Sequence, residues 1–300
     1  MTKRKRYREF GDFLRERFPF KAQKIAINAG FTCPNRDGSK GRGGCTYCNN
    51  QTFNPSYCQT DKSVTDQLAE GVRFFSRKYP EMRYLAYFQA YTSTYGELER
   101  LERLYEEALD YPGVVGLVIG TRPDCMPDSL LDYLTRLSER ALVLVEYGVE
   151  STLDRTLRRI NRGHDFAEAE EAIRRTAARG IAVGAHLILG HADRLSELPL
   201  TTLKLHQLQL IRHTRMALEF ERQPEDFHLF TVDEYIDLAI DFIERLDPAI
   251  ALERFVSQSP KELLIAPDWG LKNYEFTARV NRRLAERDSW QGKCRAKRSL

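Results

Sequence analysis

The chain has six cysteines, and three of them stand in one basic, glycine-rich stretch, Cys33-Pro-Asn-Arg-Asp-Gly-Ser-Lys-Gly-Arg-Gly-Gly-Cys45-Thr-Tyr-Cys48. Thiolates are soft ligands, and three on a flexible loop can close on one metal centre while leaving a coordination position open. One chemistry this permits is a four-iron four-sulfur cluster held one cysteine short, with an iron free for an exogenous ligand. S-adenosylmethionine can fill that position, and its reductive cleavage supplies a 5′-deoxyadenosyl radical that no side chain can make. Zinc completed by Cys58 would use the same kind of donors, and a turn with incidental cysteines would use none. The loop alone leaves these readings open. Cys125 and Cys294 lie apart and read as bystanders.

The elements around the loop are those of an α/β protein. Lys24-Ile-Ala-Ile-Asn-Ala29 predicts a short buried strand that ends where the cysteine loop begins. Ser63 and Asp66 form a capping-box pattern for a helix to about Tyr79, with Leu68, Val72 and Phe75 on one face. Strands are then expected over 83–89, 114–120, 141–146, 181–189 and 203–209. Helices between them start at Leu98 and Pro127 and cover 165–179, the last ending at Gly180. Six such units imply a parallel sheet with right-handed crossovers, either an incomplete (β/α)6 TIM-like barrel or a doubly wound sheet. Either way a ligand lies beyond the strands' carboxyl ends. Polar residues recur there: Gln89, Thr121, Arg122, Glu146, Glu150, His186, Lys204 and His206. Lys204 and His206 share a strand face and are the candidate substrate-contacting residues, with a structural lysine–carboxylate pair as the competing reading for Lys204. The crossover from Gly190 to Thr202 is too short for a normal helix.

The last third changes character. Val232–Leu246 is a strongly amphipathic helix, 251–256 a further strand, and 273–287 a helix carrying Arg279, Arg282, Arg283 and Arg287. Three segments follow: a basic arm over 1–21, the barrel over 22–211, and an α/β extension with a basic tail over 212–300. The net charge is only +3, so the chain as a whole is no polyanion binder. Its cations gather at the ends, Lys3, Arg4, Lys5, Arg6 and Arg8 at one and Lys293, Arg295, Lys297 and Arg298 at the other. Together with the arginines of the last helix they offer a surface for a nucleic-acid backbone, or solvated tails. No apolar run is long enough to span a bilayer, and no hydrophobic segment follows the basic N-terminus as in a secretory signal. A cytoplasmic protein is therefore expected, in a compartment that keeps thiols reduced.

With these pieces in view, the sequence resembles the radical S-adenosylmethionine superfamily, in the branch related to the Elongator catalytic subunit and its YhcC/YtqA-type bacterial family. The motifs that carry the resemblance are Asn28-Ala-Gly-Phe-Thr-Cys-Pro-Asn-Arg-Asp-Gly38, Gly43-Gly-Cys-Thr-Tyr-Cys48, Tyr87-Phe-Gln-Ala-Tyr91, Gly120-Thr-Arg-Pro-Asp124, Ile160-Asn-Arg-Gly-His164 and Ala185-His-Leu-Ile188. The resemblance runs from about Ala22 to Gly292 and implies a partial barrel with Cys33, Cys45 and Cys48 on a 4Fe-4S cluster. It further implies Tyr47 near the adenine of S-adenosylmethionine, and Gln89, Thr121, Glu146 and Arg162 on its amino, carboxylate and ribose groups. An electron donor such as flavodoxin or ferredoxin is implied as a partner, and tRNA as the substrate. The reaction implied is at the C5 side chain of the wobble uridine, from carboxymethylaminomethyl towards aminomethyl. A small metabolite or protein side chain is the alternative substrate, and a non-catalytic zinc-dependent nucleic-acid-binding module the alternative class. Relatives carry a fuller turn and helix after the strand equivalent to 185–190, so a segment is expected to be missing between Gly190 and His191.

Overall fold

The structure is a computed structural model that describes residues 5–52, 54–76, 81–188 and 190–295. Lys3, Arg4, Lys297, Arg298, the expected helix end at Tyr79 and the expected strand end at Leu189 lie outside the described residues. In chain order the strands are β1 (Ala22–Ile27), β2 (Arg83–Phe88), β3 (Val114–Thr121), β4 (Leu142–Glu150), β5 (Ala182–Leu187), β6 (Thr202–Leu205), β7 (Leu210–Ile211), β8 (Ala251–Arg254) and β9 (Leu264–Ala266). The helices are α1 (Phe10–Arg15), α2 (Pro34–Asp37), α3 (Val64–Ser76), α4 (Leu98–Asp110), α5 (Asp128–Ser138), α6 (Asp154–Arg159), α7 (Phe166–Ala178), α8 (Ala192–Ser196), α9 (Arg215–Arg222), α10 (Val232–Arg245) and α11 (Asn273–Glu286).

Seven strands form one parallel sheet in the order β1-β2-β3-β4-β5-β6-β8, curled into a half-barrel, with β7 and β9 paired antiparallel beside it. The six expected strands are all there. The seventh, β8, comes from the extension, so the expected strand at 251–256 is a member of the main sheet. Side chains inside the barrel stack in layers because alternate residues of every strand point inward. The lowest layer is apolar: Leu85, Val118, Leu144 and Ala251, closed from below by Phe13 and Leu14 of α1. Part of the basic arm therefore plugs the barrel floor. Its described cations are also engaged: Lys5 pairs with Asp12 at 2.9 Å, Arg6 with Asp288 at 3.3 Å, and Arg8 with Glu16.

The short crossover is closed by other parts of the chain. Between β5 and β6 stands only α8, of 5 residues, where α3, α4 and α7 have 13 each. The extension supplies the missing cover. Ser196 Oγ accepts from the Asp247 amide at 2.9 Å and shares its one proton between the Ala192 carbonyl at 2.8 Å and the Arg245 carbonyl at 3.2 Å, which ties α8 to the end of α10 over the gap. In turn α11 lies against α10. Arg283 reaches Asp237 at 2.5 Å and Asp233 at 3.1 Å, and Arg287 reaches Asp241. These contacts correct the reading of 273–287 as a free basic face: Arg283 and Arg287 are tied to acids of α10, and only Arg279 and Arg282 stay exposed. Among the described residues, no helix is long and apolar enough to cross a membrane.

Candidate active site

The cysteine loop leaves the carboxyl end of β1 and is clamped by two other motifs. Cys33 caps the single turn α2, and Gly44 follows with φ +73°, where an added Cβ would meet Arg36 Cγ at 2.9 Å. That left-handed position admits glycine readily and a larger residue only under strain. Asn35, fully buried, donates to the Asn161 carbonyl at 2.6 Å. Asn161 donates back to the Gly44 carbonyl at 2.8 Å, and the Thr46 amide bonds the Ile160 carbonyl at 2.9 Å. A third motif locks this pair: Arg122 makes a fork to both oxygens of Asp124 at 2.9 Å and donates to the Arg162 carbonyl at 2.9 Å. Lys40 of the cysteine loop reaches the same Asp124 at 3.0 Å. A buried, bidentate Arg–carboxylate pair is geometrically strict, which suits a clamp. Burial opposes ionisation of Asp124, but Arg122 and Lys40 outweigh it and hold the carboxyl down to about 2.

Cys33, Cys45 and Cys48 all line one cavity at the mouth of the half-barrel. It is open to solvent, and its walls bring the cysteines together with the polar ends of the strands. Arg162 Nη1 lies 3.5 Å from the Cys45 sulfur, Asn35 Nδ2 3.8 Å from it, and Arg36 Nη1 3.9 Å from the Cys48 sulfur. Cations and amide donors around thiolates are the surroundings that stabilise a metal–sulfur site. Burial pushes the Cys48 thiol up to about 11, with Cys45 adding to it and Arg36 opposing, so metal loading must displace its proton. Among the described residues, no group of three or more His, Cys, Asp or Glu side chains converges on a point that would hold a single ion. Three thiols lining one cavity, with cationic and amide donors beside them, are donors suited to a group bound through cysteine sulfur. Cys58 stands elsewhere: its thiol bonds the Ala26 carbonyl at 3.1 Å, outside the cavity, and burial raises it to about 12. In this structure it does not join the other three at the cavity.

Of the eight polar strand-end residues, seven line this cavity: Gln89, Thr121, Arg122, Glu146, Glu150, His186 and His206. Tyr47 and Arg162 line it too. Gln89 presents a side-chain amide with no protein partner among the described residues, and Thr121 shares its hydroxyl with Thr94 at 2.5 Å. Arg162, buried, also bonds His164 Nε2 at 2.9 Å and the Gly148 carbonyl, with Glu150 at 3.8 Å. Glu150 itself sits at φ +66° beside a bulge in the β4–β5 pairing. A glutamate held there is strained, and such strain gathers at functional sites.

Lys204 is placed differently from the expectation. It does not line the cavity but lies beneath it, in a charged middle layer of the barrel. Glu146, 1% exposed, takes Lys204 and Lys24 on its two oxygens and His186 Nε2 at 3.0 Å. Glu253 takes Lys24 at 2.6 Å and Lys204 at 3.5 Å. The Lys204 ammonium also meets the Tyr87 hydroxyl at 3.1 Å. Two cations and two anions thus balance, the structural lysine–carboxylate pair that the sequence left as the competing reading. Burial lowers Lys204 to about 8 although Glu146 and Glu253 pull the other way. Glu146 lies well below the carboxylate range, since Lys204 and Lys24 outweigh its burial.

Above that layer His186 and His206 stand with rings 5.4 Å apart, both held below the usual imidazole value, first by burial. Arg254 Nη2, which can only donate, faces His206 Nε2 at 3.0 Å, so that nitrogen is unprotonated and His206 carries its proton on Nδ1. Sequence reading missed Arg254, Lys24 and Glu253, since nothing local distinguishes them from surface charges. The loops after β6 and β8 are stitched by Gln207, whose amide donates to the Ser257 carbonyl and accepts from its amide, both at 2.9 Å.

A half-barrel of parallel strands with three thiols from the loop after β1 at its mouth defines a class of metal–sulfur enzymes. The chain belongs to the Radical SAM superfamily, whose family model matches residues 31–198, followed by the Radical_SAM C-terminal domain over residues 200–286. It is 34% identical over 300 residues to the uncharacterized protein YtqA of Bacillus subtilis, covering 96% of this chain and 92% of that one. Protein YhcC of Escherichia coli K12 is 35% identical over 289 residues, covering 92% of each chain. Among solved structures, the archaeal Methanocaldococcus infernus Elp3 with an N-terminal deletion superposes with a TM-score of 0.66 at 15% identity. That likeness covers 91% of this chain and 64% of the Elp3 chain and concerns the fold.

Proposed function

We propose that this chain is a radical S-adenosylmethionine enzyme in which Cys33, Cys45 and Cys48 hold a 4Fe-4S cluster. The observation that carries the reading is that these three thiols line one cavity with the strand-end residues while Cys58 does not. The bound pair of cofactors supplies one-electron cleavage of S-adenosylmethionine to a 5′-deoxyadenosyl radical. The protein's part is to bind, orient and exclude water. Gln89, whose amide has no partner among the described residues, Thr121 and the Arg162 guanidinium, all lining the cavity, would hold the polar groups of S-adenosylmethionine, and Tyr47 its adenine. Glu146 contributes through the imidazole it orients, both its oxygens being already engaged.

Anaerobic reconstitution tests this. The loaded protein should contain about four irons and four sulfides per chain and release 5′-deoxyadenosine from S-adenosylmethionine under reduction; zinc uptake with no 5′-deoxyadenosine would overturn the reading. The substrate we propose is the C5 side chain of tRNA wobble uridine, and the family resemblance supports it. The basic ends lend it less, because the described cations there are largely paired within the chain. Unchanged nucleosides by mass spectrometry after incubation with undermodified tRNA would remove it in favour of a smaller substrate.

A further inference from the structure

The barrel mouth contains a cation that the fold leaves uncompensated. In the pairing of β6 with β8, Leu203 stands opposite Leu252 but Lys204 opposite Arg254, so Glu253 is an extra residue in β8. Such a bulge re-aims the side chains beside it. Glu253 consequently reaches Lys24 and Lys204 in the middle layer, while Arg254, the next residue, lines the cavity one layer higher. The middle layer neutralises itself, two lysines against two glutamates. Glu253, drawn down to the lysines, is no counter-ion for Arg254, and among the described residues no carboxylate oxygen lies within 4.0 Å of the Arg254 guanidinium. Its hydrogen bond goes to His206, whose imidazole accepts it at 3.0 Å. Its Nε is buried with no hydrogen-bond partner among the described residues.

A guanidinium is never neutral in a protein and presents planar donors matched to carboxylate and phosphate oxygens. A buried donor without an acceptor and a charge without a counter-charge both disfavour the empty arrangement. An oxyanion at this wall satisfies both. The curl of the half-barrel brings β8 beside β1, where Lys24 meets Glu253 at 2.6 Å, so Arg254 faces the same cavity as the cysteines, and competition with S-adenosylmethionine separates a substrate group from a cofactor group.

We propose that Arg254, supported by His206, is the subsite for a carboxylate or phosphate group of the substrate. The inference rests on reading this cavity as the active site. Its test is isothermal titration of the reconstituted protein with succinate and, separately, inorganic phosphate, for the native chain, Arg254→Gln and Arg254→Lys. The native chain should bind at least one of the anions saturably at one per chain. The dissociation constant should rise about tenfold or more in Arg254→Gln and less in Arg254→Lys, which keeps the charge. Tighter succinate binding would mark a carboxylate substrate, and tighter phosphate binding a phosphorylated one. No saturable binding of either anion, equal binding by Arg254→Gln, or displacement of the anion by S-adenosylmethionine would each overturn the proposal, the last because Arg254 would then be holding the cofactor. Release of 5′-deoxyadenosine by the native protein is measured separately. Its absence would sink the cofactor reading while leaving the anion result intact.

Discussion

Neutralising Glu146 probes the charged middle layer most directly. Glu146→Gln keeps the side chain's shape and removes one of four buried charges. Lys24 retains Glu253 at 2.6 Å, but Lys204 is left with only the 3.5 Å approach to Glu253. Breaking a buried ion pair from one side costs about 3–5 kcal/mol, because the remaining charge is stranded in a poorly solvated place. The cost depends on pH. Burial has already lowered Lys204 to about 8 against the pull of Glu146 and Glu253, and without Glu146 it falls further. Between the variant's lower value and about 8, the folded variant has shed a proton that its unfolded chain keeps, whereas the native protein keeps it in both states. The variant's stability therefore rises with pH in that window, by up to about 1.4 kcal/mol per pH unit, while this group leaves the native protein's unchanged. The gap between the two proteins is widest near pH ~6 and narrows towards pH ~8. Urea unfolding followed by far-ultraviolet circular dichroism at three pH values measures it. A loss under about 1 kcal/mol, or a gap that does not narrow, would refute the reasoning.

Three further outcomes are expected. Replacing Cys33, Cys45 or Cys48 by alanine abolishes iron and sulfide retention and 5′-deoxyadenosine release, whereas Cys58→Ala, outside the cavity, retains both; iron and sulfide analysis after reconstitution decides it. His164 is lowered from 6.5 to about 4 by burial first and the Arg162 cation second, so the unfolded chain takes up a proton where the folded one does not. Stability should thus fall by about 3 kcal/mol as pH drops from ~6.5 to ~4, a slope that His164→Gln removes in urea melts. Gly116→Ala in β3 would place a Cβ 2.4 Å from the Leu142 carbonyl oxygen of β4, which must move. A loss of about 1–3 kcal/mol should appear as a lower melting temperature, and an unchanged one would show that the strands separate freely.

The sequence by itself determined the parts of this protein whose signals are local. Strand and helix alternation follows from the periodicity of apolar residues, so all seven strands of the half-barrel were legible, although not that β8 joins the main sheet. The cysteine spacing and the polar residues after successive strands were legible for the same reason, since each belongs to one short stretch of chain. Only the tertiary structure decided what depends on partners far apart in sequence. Lys204 read either as a substrate contact or as half of a lysine–carboxylate pair, because its strand ends at the site and its partner was out of view; the fold puts it one layer down, against Glu146 and Glu253. Arg283 and Arg287 read as a basic face because their acids lie on another helix. The arm around α1 read as a tail because the floor it seals is built from four distant strands. Arg254 carried no signal, because being uncompensated depends on a bulge and on where every carboxylate of the barrel points, and both exist only once the chain has folded.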